Sequence, residues 1–592
     1  LVLCLIAAMF VPFLSSTAGP PEEVDPAMTV SGETANAMAG RSVAFLDIDD
    51  DGIGDLVVGA PGDSAAGMSA GKVMIYLGSA IKADPDIEIT GAPGERFGFA
   101  VARVGDVNSD GIDDLIVGAP SNDDESMDAG AAYIIFGSDD IGTLPAVSSD
   151  ADVVVMGAVE RAQLGYSVST AGDVNEDGID DVMIGAPSAG AGSVHLLYGG
   201  TSMDATVDKT FTGSTAGDQY GFSVAGGMNL DGSSQPDIVI GAPASSSNKG
   251  AVQVILGPTK ATPKVVTLTG TSVGDRFGTS LAVLDYNSDI YGDVAIGAPN
   301  VGGAGKVYLY YGSYLAGKFD KSVDVTFSVG QAGDMFGLSV AAGDPRTDGS
   351  SDLVVGAPGN DTAGIDAGCA YVFYGNASAD AEADVMVSGI DSESRFGWSV
   401  ASGMNTSADY NGDRAADFAV GAPYAGDDVE GAAYLFLGVR IVLPANPTVY
   451  GYVLDDVTGA GLSNALVTME SPAYSRSVRT TANGSYGLTS TISLPPGTYW
   501  INASFADYFT YGEQHALTYD TRSNVSFDLV RLPVVAGVIY DGNTSGPDPL
   551  EDALVEVRDD ADALLDSMTT DATGEYSFML EYEGDITINA SK

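Results

Sequence analysis

An acidic segment from Asp106 to Asp114 carries the residue types and spacing best suited to binding a metal ion. Oxygen-bearing side chains occupy its first, third, fifth and ninth positions, and Gly111 occupies the sixth. A hard cation such as calcium takes roughly six to eight oxygen ligands, which a tight loop supplies from alternate side chains and a backbone carbonyl. Glycine permits the sharp turn that such a loop needs. The segment therefore predicts a calcium-binding loop, with the carbonyl supplied by Ile112.

Four further segments repeat this pattern, so the sequence predicts about five calcium sites. Each begins with aspartate and keeps an oxygen-bearing side chain at all four positions. The predicted ligands, with the seventh residue contributing its backbone carbonyl, are Asp47, Asp49, Asp51, Ile53 and Asp55; Asp106, Asn108, Asp110, Ile112 and Asp114; Asp173, Asn175, Asp177, Ile179 and Asp181; Asp285, Asn287, Asp289, Tyr291 and Asp293; and Asp409, Asn411, Asp413, Ala415 and Asp417. In the last two loops, Ile290 and Arg414 stand where glycine is expected, which predicts a strained or altered turn.

Two more segments keep only part of the pattern, and we predict that they hold no metal. One has Met228 at its first place instead of an acid, and its spacing to Asp237 is shifted. The other has Arg346 at its third place, where the positive charge would repel a cation.

Two other interpretations of these loops are weaker. Turns rich in Asp, Asn and Gly are also favoured hairpin connections, but five copies in register favour metal. An EF-hand is disfavoured, because Val58 and Val117 occupy the twelfth positions where that motif needs Glu.

The elements that position the loops form a repeat. Gly-Ala-Pro recurs in register at intervals of 56 to 67 residues, beginning at Gly59, Gly118, Gly185, Gly241, Gly297, Gly356 and Gly421. From the second unit on, a Phe-Gly-like step such as Phe97-Gly98 opens each unit, and four short apolar runs without helical period follow. Four strands per unit are typical of a propeller blade, so we predict an all-β, seven-bladed β-propeller over residues 27–439.

The ends of the repeat array predict how the ring closes. No fourth strand follows the seventh third-strand at 432–437, whereas residues 27–32 resemble the fourth strand at 384–389. The N-terminal strand is therefore expected to complete the last blade and to remove an open sheet edge.

The combination of Phe-Gly, the acidic loop and Gly-Ala-Pro resembles the FG-GAP repeat, and seven copies resemble the propeller of integrin α subunits. The resemblance implies calcium in the loops that join the first two strands of a blade, on one face of the propeller. It also implies that the opposite face helps to bind partner and ligand.

The chain after the propeller resembles carboxypeptidase-regulatory-like β-sandwich modules. After a linker at 440–447, one module is predicted over 448–531, with Thr-Thr-Ala-Asn-Gly-Ser-Tyr ending at Tyr486. A similar stretch ending at Tyr576 marks a second, truncated module over 534–592. The resemblance implies spacer or binding domains without catalytic activity.

The composition limits the class of partner. The 592 residues predict several domains or a repeat array, and 81 acids against 24 bases give a formal net charge of −57. This balance argues against a nucleic-acid partner, because few bases are available to neutralise phosphates. Solubility in a salty medium and a set of cation sites are both compatible with the acidity.

The first residues resemble an export signal. Leu1 to Leu14 is apolar, and small and hydroxyl residues follow it. We interpret residues 1–18 as a truncated signal peptide, because a membrane anchor needs about 20 apolar residues. With Cys4 in this leader, Cys369 stands alone, which excludes a disulfide framework and favours a buried small side chain.

Eight Asn-x-Ser/Thr sequons occur in the later part of the chain and are compatible with a glycoprotein. They begin at Asn360, Asn376, Asn405, Asn483, Asn502, Asn524, Asn543 and Asn589.

The sequence carries no recognisable catalytic set. His195 occupies a third-strand place where other blades have tyrosine, and His515 has no obvious partner. Acid pairs for glycoside hydrolysis stay open as an alternative, because 81 carboxylates offer many pairings.

These observations favour a secreted or cell-surface, calcium-binding protein that acts in adhesion or ligand recognition. Its partner would be a protein or glycan at a propeller face, and no transmembrane segment is expected in this sequence. The alternatives are the non-catalytic portion of an extracellular hydrolase or a structural surface-layer component.

The loops generate a direct prediction about metal content. Native mass spectrometry of the calcium-loaded protein should count about five bound ions, and excess chelator should lower the melting temperature sharply. The reason is that carboxylates gathered in an empty loop repel one another. An unchanged melting temperature in excess chelator would contradict a structural role for the ions.

Overall fold

The computed structural model describes residues 22–312, 319–375, 381–403 and 405–438, together with separate segments between 448 and 591. The chain divides into two compact units, Leu1–Ile441 and Val442–Lys592. The predicted signal peptide (1–18) and linker (440–447) lie outside the described residues.

Short antiparallel strands build the first unit, as the repeat predicts. In chain order they are β1 (Glu22–Glu23), β2 (Met28–Ser31), β3 (Ser42–Leu46), β4 (Asp55–Ala60), β5 (Lys72–Tyr76), β6 (Ile87–Thr90), β7 (Ala100–Gly105), β8 (Asp114–Ala119), β9 (Ala131–Ile135), β10 (Val153–Met156), β11 (Ser167–Gly172), β12 (Asp181–Ala186), β13 (Ser193–Leu197), β14 (Lys209–Thr212), β15 (Ser223–Met228), β16 (Asp237–Ala242), β17 (Ala251–Leu256), β18 (Lys264–Thr269), β19 (Ser280–Leu284), β20 (Asp293–Ala298), β21 (Lys306–Tyr310), β22 (Val325–Phe327), β23 (Ser339–Gly343), β24 (Asp352–Ala357), β25 (Cys369–Phe373), β26 (Val385–Ser388), β27 (Ser399–Ser402), β28 (Phe418–Ala422) and β29 (Ala432–Phe436).

The described strands of this unit form seven sheets, here called blades one to seven. Blades one to five are β3–β6, β7–β10, β11–β14, β15–β18 and β19–β22, and each is an antiparallel meander. Blade six is β23–β26, with β1 added in parallel to β26, and blade seven is β27–β29 with β2. The first strands of successive blades pack side by side, and β27 packs against β3, so the sheets form a closed ring.

The ring closes through the N-terminal strand, as predicted. β2 pairs antiparallel with β29, in a register that joins Met28 to Leu435 and Ser31 to Ala432. A further bridge joins Ala39 of blade one to Gly431 of blade seven. The chain thus covers the sheet edge that the last repeat would leave open.

The second strand of each blade forms the buried centre of its sheet. β8, for example, reads Asp-Leu-Ile-Val-Gly-Ala, and all six of its residues are buried. A short, continuous apolar run is typical of a strand covered on both faces, and branched side chains fit its pleated surface. Apolar clusters between consecutive blades, such as the one joining Leu46, Val57, Phe97 and Val117, make up the core.

Adjacent blades approach most closely through two glycines, one from Gly-Ala-Pro and one from the Phe-Gly step of the next blade. A Cβ atom added to Gly118 would lie 1.9 Å from the carbonyl oxygen of Gly165. The equivalent distances are 2.1 Å for Gly59 to Gly98, 2.2 Å for Gly185 to Gly221, 2.4 Å for Gly241 to Gly278, 2.1 Å for Gly297 to Gly337, 2.0 Å for Gly356 to Gly397 and 2.0 Å for Gly421 to Gly40. No side chain fits at the Gly-Ala-Pro glycine, and the Phe-Gly glycine has a φ of 76–88°, which side chains rarely adopt, so both halves of the motif need glycine.

Serine hydroxyls add a hydrogen bond at the same junctions. The serine that opens the first strand donates to the carbonyl of the Phe-Gly glycine in the next blade, at 2.8–2.9 Å. The pairs are Ser42 to Gly98, Ser167 to Gly221, Ser223 to Gly278, Ser280 to Gly337, Ser339 to Gly397 and Ser399 to Gly40. Blade two has Ala100 at this place.

Helical structure is limited to single turns in the described part of the chain. These are α1 (Ser245–Asn248) and the 3-10 turns Ile141–Thr143, Ser148–Asp150, Val301–Gly303 and Asn405–Ala408. Among the described residues, no helix is long and apolar enough to cross a membrane.

The second unit is also built from strands, in agreement with the predicted β-sandwich. They are β30 (Thr448–Asp455), β31 (Leu466–Ser471), β32 (Tyr474–Arg479), β33 (Ser485–Leu488), β34 (Gly497–Ser504), β35 (Tyr511–Leu517), β36 (Arg522–Asn524), β37 (Phe527–Leu529), β38 (Val534–Val538), β39 (Tyr540–Asp541), β40 (Asp548–Pro549), β41 (Leu554–Arg558), β42 (Leu564–Thr569), β43 (Glu575–Met579) and β44 (Thr587–Ser591). Two four-stranded sheets hold β30–β37, in the orders β33-β30-β36 with β37 also on β30, and β32-β31-β34-β35. The later strands pair as β38 with β43, β39 with β40, and β42-β41-β44.

The glycine contacts predict a strong position dependence of stability. Gly118→Ala should lower the free energy of unfolding by about 1–3 kcal/mol, because the new methyl group overlaps the Gly165 carbonyl. Gly200→Ala is the matched control, since a Cβ atom there meets nothing within 4 Å. Denaturant unfolding of both variants measures the difference, and equal stability would contradict the proposed close approach.

Candidate calcium loops and the two ends of the propeller axis

The five predicted calcium loops join the first and second strands of blades one, two, three, five and seven. Since the first strands pack side by side around the ring, their loops lie at one end of the propeller axis. The Phe-Gly steps precede the same strands and therefore lie at the opposite end.

The loop after β7 shows how the backbone positions the acidic side chains. The two carboxylate oxygens of Asp106 accept hydrogen bonds from the backbone amides of Asp110 (3.1 Å) and Gly111 (2.9 Å). Asn108 Oδ1 accepts from the Asp110 amide at 2.8 Å, and Asp110 Oδ1 accepts from the Ile112 amide at 3.0 Å. These bonds fold residues 106–112 into one tight turn.

The other four predicted loops share this hydrogen-bond pattern from the first to the fifth and sixth residues. The first-position acceptors are Asp47, Asp173, Asp285 and Asp409, and the fifth-position acceptors are Asp51, Asp177, Asp289 and Asp413. Ile53, Ile179, Tyr291 and Ala415 donate their amides to those fifth-position oxygens, and Asn175, Asn287 and Asn411 occupy the third position as Asn108 does. The structure therefore folds the first seven residues of each predicted set into one turn.

The two loops without glycine at the sixth place adopt the same turn. Ile290 and Arg414 have φ angles of 73° and 71°, in the left-handed region that side chains rarely adopt. Their amides still donate to Asp285 at 2.9 Å and to Asp409 at 2.7 Å. The predicted strain therefore resides in the φ angle, while the loop geometry is retained.

The ninth-position aspartate joins the loop to the rest of its blade. Asp114 is fully buried, and its carboxylate accepts the amides of Val107 (2.8 Å) and Gly137 (2.9 Å), the latter just after the third strand. The same bracket recurs in every described blade: Asp55 with Ile48 and Gly78, Asp181 with Val174 and Gly199, Asp237 with Leu230 and Gly257, Asp293 with Tyr286 and Gly312, Asp352 with Arg346 and Gly375, and Asp417 with Tyr410 and Gly438. It is present in the loops predicted to lack metal, so this aspartate serves the fold in all seven blades.

The carboxylates of blade one fit a hard cation. Oxygen atoms of Asp47, Asp49 and Asp55 lie within 4.8 Å of one another, and a buried Asp49 oxygen has no hydrogen-bond partner. Burial, with a contribution from the neighbouring acids, raises the pKa of Asp47 to about 6 and that of Asp55 to about 8. A cation removes the cost of placing these negative charges together, and oxygen donors are the ligands that calcium prefers.

The loop of blade four corrects the sequence register. The Leu230 amide donates to Asp237 at 2.9 Å, the contact made by the second residue of every other loop except that of blade six. Asn229 is therefore the first residue rather than Met228, and the spacing to Asp237 is not shifted. Asn229, Asp231 and Ser233 then occupy the first, third and fifth places, with a single carboxylate among them.

The loop of blade six carries its own positive charge. Asp344 keeps the usual contacts to the amides of Asp348 and Gly349, at 3.1 and 3.0 Å. A guanidinium nitrogen of Arg346, the third residue, lies 3.5 Å from the Asp348 carboxylate. This arrangement supports the prediction that the loop needs no metal ion, because the arginine compensates an acid that a cation would otherwise neutralise.

The Phe-Gly end of the axis holds a cavity of about 610 Å³, here called the cup. Its wall includes the residue that follows the Phe-Gly step in each blade: Arg41, Phe99, Tyr166, Phe222, Thr279, Leu338 and Trp398. Phe99 and Phe222 each lie 5.0 Å from Tyr166, between ring centroids. Sequence analysis along the chain missed this cluster, since its members are about 60 residues apart; alignment of the repeats would have shown an aromatic residue after four of the steps.

Three other sequence candidates have structural surroundings. His195 lies on β13, 3.2 Å from the Ser193 hydroxyl, and burial lowers its pKa. Cys369 is buried, as predicted. Asn360, the first residue of one of the sequons, is also buried, and its side-chain amide donates to the Asp334 carboxylate at 2.7 Å.

Comparison with known proteins defines the class of the repeat. The FG-GAP repeat family matches residues 39–76, 97–135, 164–197 and 277–310, and a second FG-GAP repeat family matches 321–373. The carboxypeptidase regulatory-like domain family matches 448–530. The first unit is thus an FG-GAP-repeat propeller, and a carboxypeptidase regulatory-like domain follows it.

The curated relatives include integrin α subunits. Integrin alpha pat-2 of Caenorhabditis briggsae is 34% identical over 264 residues, covering 40% of this chain and 20% of the relative. The Caenorhabditis elegans protein of that name is 32% identical over 287 residues (44% and 22%), and integrin alpha-5 of Xenopus laevis is 30% identical over 220 residues (34% and 20%). The chain thus matches about a fifth of the length of these relatives. The match to a solved structure of the Bacillus anthracis TIE protein covers 30% of this chain and 36% of that protein's chain, with 13% identity and a TM-score of 0.16, which is too low to indicate a shared fold.

The two roles of the loop carboxylates predict different responses to calcium. Asp352→Ala should destabilise the protein equally with calcium and with chelator, by about 1–3 kcal/mol for each buried amide left without an acceptor. Asp110→Ala, at an exposed fifth position, should destabilise it in calcium and have little effect in chelator. Thermal melts of both variants in both buffers measure this. A calcium-dependent loss for Asp352→Ala would mean that blade six also holds an ion.

Proposed function

We propose that this chain is part of a calcium-stabilised extracellular or cell-surface protein that recognises a protein or glycan ligand through its propeller. The similarity of its FG-GAP repeats to integrin α subunits indicates a role in adhesion or ligand recognition.

The convergence of carboxylates in blade one is the observation that best supports the proposed calcium binding. Asp47, Asp49 and Asp55 bring oxygen atoms within 4.8 Å of one another, and one of these residues has an oxygen without a hydrogen-bond partner. Four further loops repeat the backbone geometry. Calcium at the millimolar concentrations typical outside cells suits sites of weak affinity, roughly 10⁻⁴ to 10⁻³ M.

The arrangement of the two ends supports binding as the activity. The loop carboxylates at one end stabilise the first strands, and the cup at the other end is open to solvent and lined by aromatic and polar side chains. The hydrogen-bond partners of His195 are the Ser193 and Thr210 hydroxyls, and burial lowers its pKa. His195 is therefore not paired with an acid as a catalytic general base commonly is. We propose that the propeller acts by recognition and not by catalysis.

The proposal is tested with the full chain on protein and glycan arrays. Capture of at least one class of ligand is expected in millimolar calcium, and chelator should abolish it because the propeller loses order. Asp110→Ala should weaken capture in calcium, whereas Glu125→Gln, an exposed acid outside the loops, should not. The absence of any ligand in calcium, or capture that chelator leaves unchanged, would contradict the proposal.

A further inference from the structure

The cup is a basic site on an otherwise acidic protein. The chain has 81 acids and 24 bases, yet the wall of the cup contains Arg41 and Arg276 and no Asp or Glu among the described residues that line it. The cavity at the loop end of the axis, about 740 Å³, has the opposite character, because Asp47, Asp50 and Asp113 line it together with Arg103. The two ends of the axis therefore attract ligands of opposite charge.

The two arginines are held by aromatic rings instead of carboxylates. The Arg41 guanidinium lies 4.1 Å from the centre of the Phe99 ring and 5.5 Å from that of Trp398. Arg276 lies 5.7 Å from the Phe222 ring, and its Nε is buried without a hydrogen-bond partner. Among the ion pairs of the described residues, none includes either arginine. Their hydrogen-bond donors are therefore available to an anion from outside the chain.

Burial is the main cause that lowers the pKa of Arg41; Tyr166 and Tyr424 act in the opposite direction, and Arg96 adds a smaller lowering. Burial and Arg96 both disfavour its positive charge in the free protein. A carboxylate that enters the cup would reverse them, because it supplies the missing counter-charge and accepts two guanidinium hydrogen bonds.

The serine ring specifies the rest of the ligand. Ser42, Ser167, Ser223, Ser280, Ser339 and Ser399 line the cup, and each donates its hydroxyl hydrogen to a glycine carbonyl of the next blade. Their oxygen lone pairs remain as acceptors, so they match a ligand that carries several hydroxyl donors. The Gln219 and Asn300 side chains add amides that both donate and accept.

We propose that the cup binds a carboxylated sugar, such as a uronic acid unit of a glycan, with its carboxylate on Arg41 and with Arg276 donating to another oxygen of the sugar. The sugar hydroxyls donate to the serine ring, and the apolar face of the sugar ring packs on Phe99, Tyr166 or Trp398. This inference rests on the proposed recognition function and names the ligand class for the Phe-Gly end of the axis.

Other anions fit less well. An acidic peptide offers a carboxylate and backbone amide donors but fewer hydroxyl groups than a sugar of the same size, so it would pair with fewer of the serine acceptors. A polyanion such as a nucleic acid would be repelled by the chain, whose formal net charge is −57. A single carboxylate per sugar unit satisfies the cup without that repulsion.

Tryptophan fluorescence tests the proposal on the full chain in calcium. The sequence has two tryptophans, Trp398 in the cup and Trp500 in the second unit. In a Trp500→Phe background, titration with sodium glucuronate should change the Trp398 emission saturably. Two compounds serve as comparisons: glucose, which lacks the carboxylate, and a peptide with blocked, uncharged termini that contains one aspartate. Each should bind at least about tenfold more weakly than glucuronate, a ratio that corresponds to about 1.4 kcal/mol.

Two substitutions in the cup assign the contact, each made in the Trp500→Phe background. Arg41→Gln and, separately, Arg276→Gln should weaken glucuronate binding about tenfold, the size expected for a lost charge-assisted contact. Arg161→Gln is the matched control, since Arg161 is exposed and lies outside the cup. A melting temperature equal to that of the parent within error shows that a variant is folded. If Arg41→Gln does not fold, Arg276→Gln alone tests the contact.

Several results would overturn the proposal. These are equal affinity for glucose and glucuronate, tighter binding of the aspartate peptide, or unchanged glucuronate affinity in both arginine variants. If glucuronate does not bind while an array shows another calcium-dependent ligand, the inference fails and the recognition function stands. If neither binds anything, both fail.

Discussion

One buried aspartate in each blade holds the acidic loop against the third strand. Its two oxygens accept amides from both elements, as Asp114 does for Val107 and Gly137. Burial raises the pKa of Asp55 and Asp352 to about 8, so the carboxylate occupies a place where its charge is disfavoured. The two backbone hydrogen bonds offset part of that cost, and a nearby cation offsets more where the loop can bind one.

This constraint explains why the seven loops share a backbone while their side chains differ. The turn must deliver the second amide to the aspartate, and blade six shows how strict this requirement is. Pro345 lacks an amide hydrogen there, and the Arg346 amide takes its place at 3.2 Å. Ligand positions three and five can then vary without loss of the fold, as Arg346 and Ser233 do.

The sequence alone predicts the architecture well because the repeat fixes it. The Gly-Ala-Pro glycine has no room for a Cβ atom beside the carbonyl of the Phe-Gly glycine, as at Gly118 and Gly165, and the Phe-Gly glycine itself has a positive φ, so both places need glycine. The glycines of the motif are therefore required by the close packing of neighbouring blades. The closing strand β2 is predictable for a similar reason, because the seventh repeat lacks a fourth strand and residues 27–32 resemble one.

The site is less predictable, since one residue type serves two purposes. The ninth aspartate of each loop matches a metal ligand in spacing, and only the structure shows that its carboxylate also accepts hydrogen bonds from two backbone amides. The register of the loop at Asn229 was wrong because Met228 ends β15 by pairing with Asp237, and the spacing of acids does not reveal where the strand stops. The cup is harder still, because it is assembled from single residues of separate blades.

The first strand links the two ends of the axis physically. In blade two, Phe99 in the cup and Asp106 in the loop flank the six residues of β7, which span roughly 20 Å in an extended strand. Ordering of the loop by a cation fixes one end of that strand, and the hydrogen bond from the Ser42 hydroxyl of blade one to the Gly98 carbonyl fixes the other end against that neighbouring blade. In the proposed calcium-bound form, the ions would act on recognition without contact with the ligand, by holding five of the seven first strands in the positions that give the cup its wall.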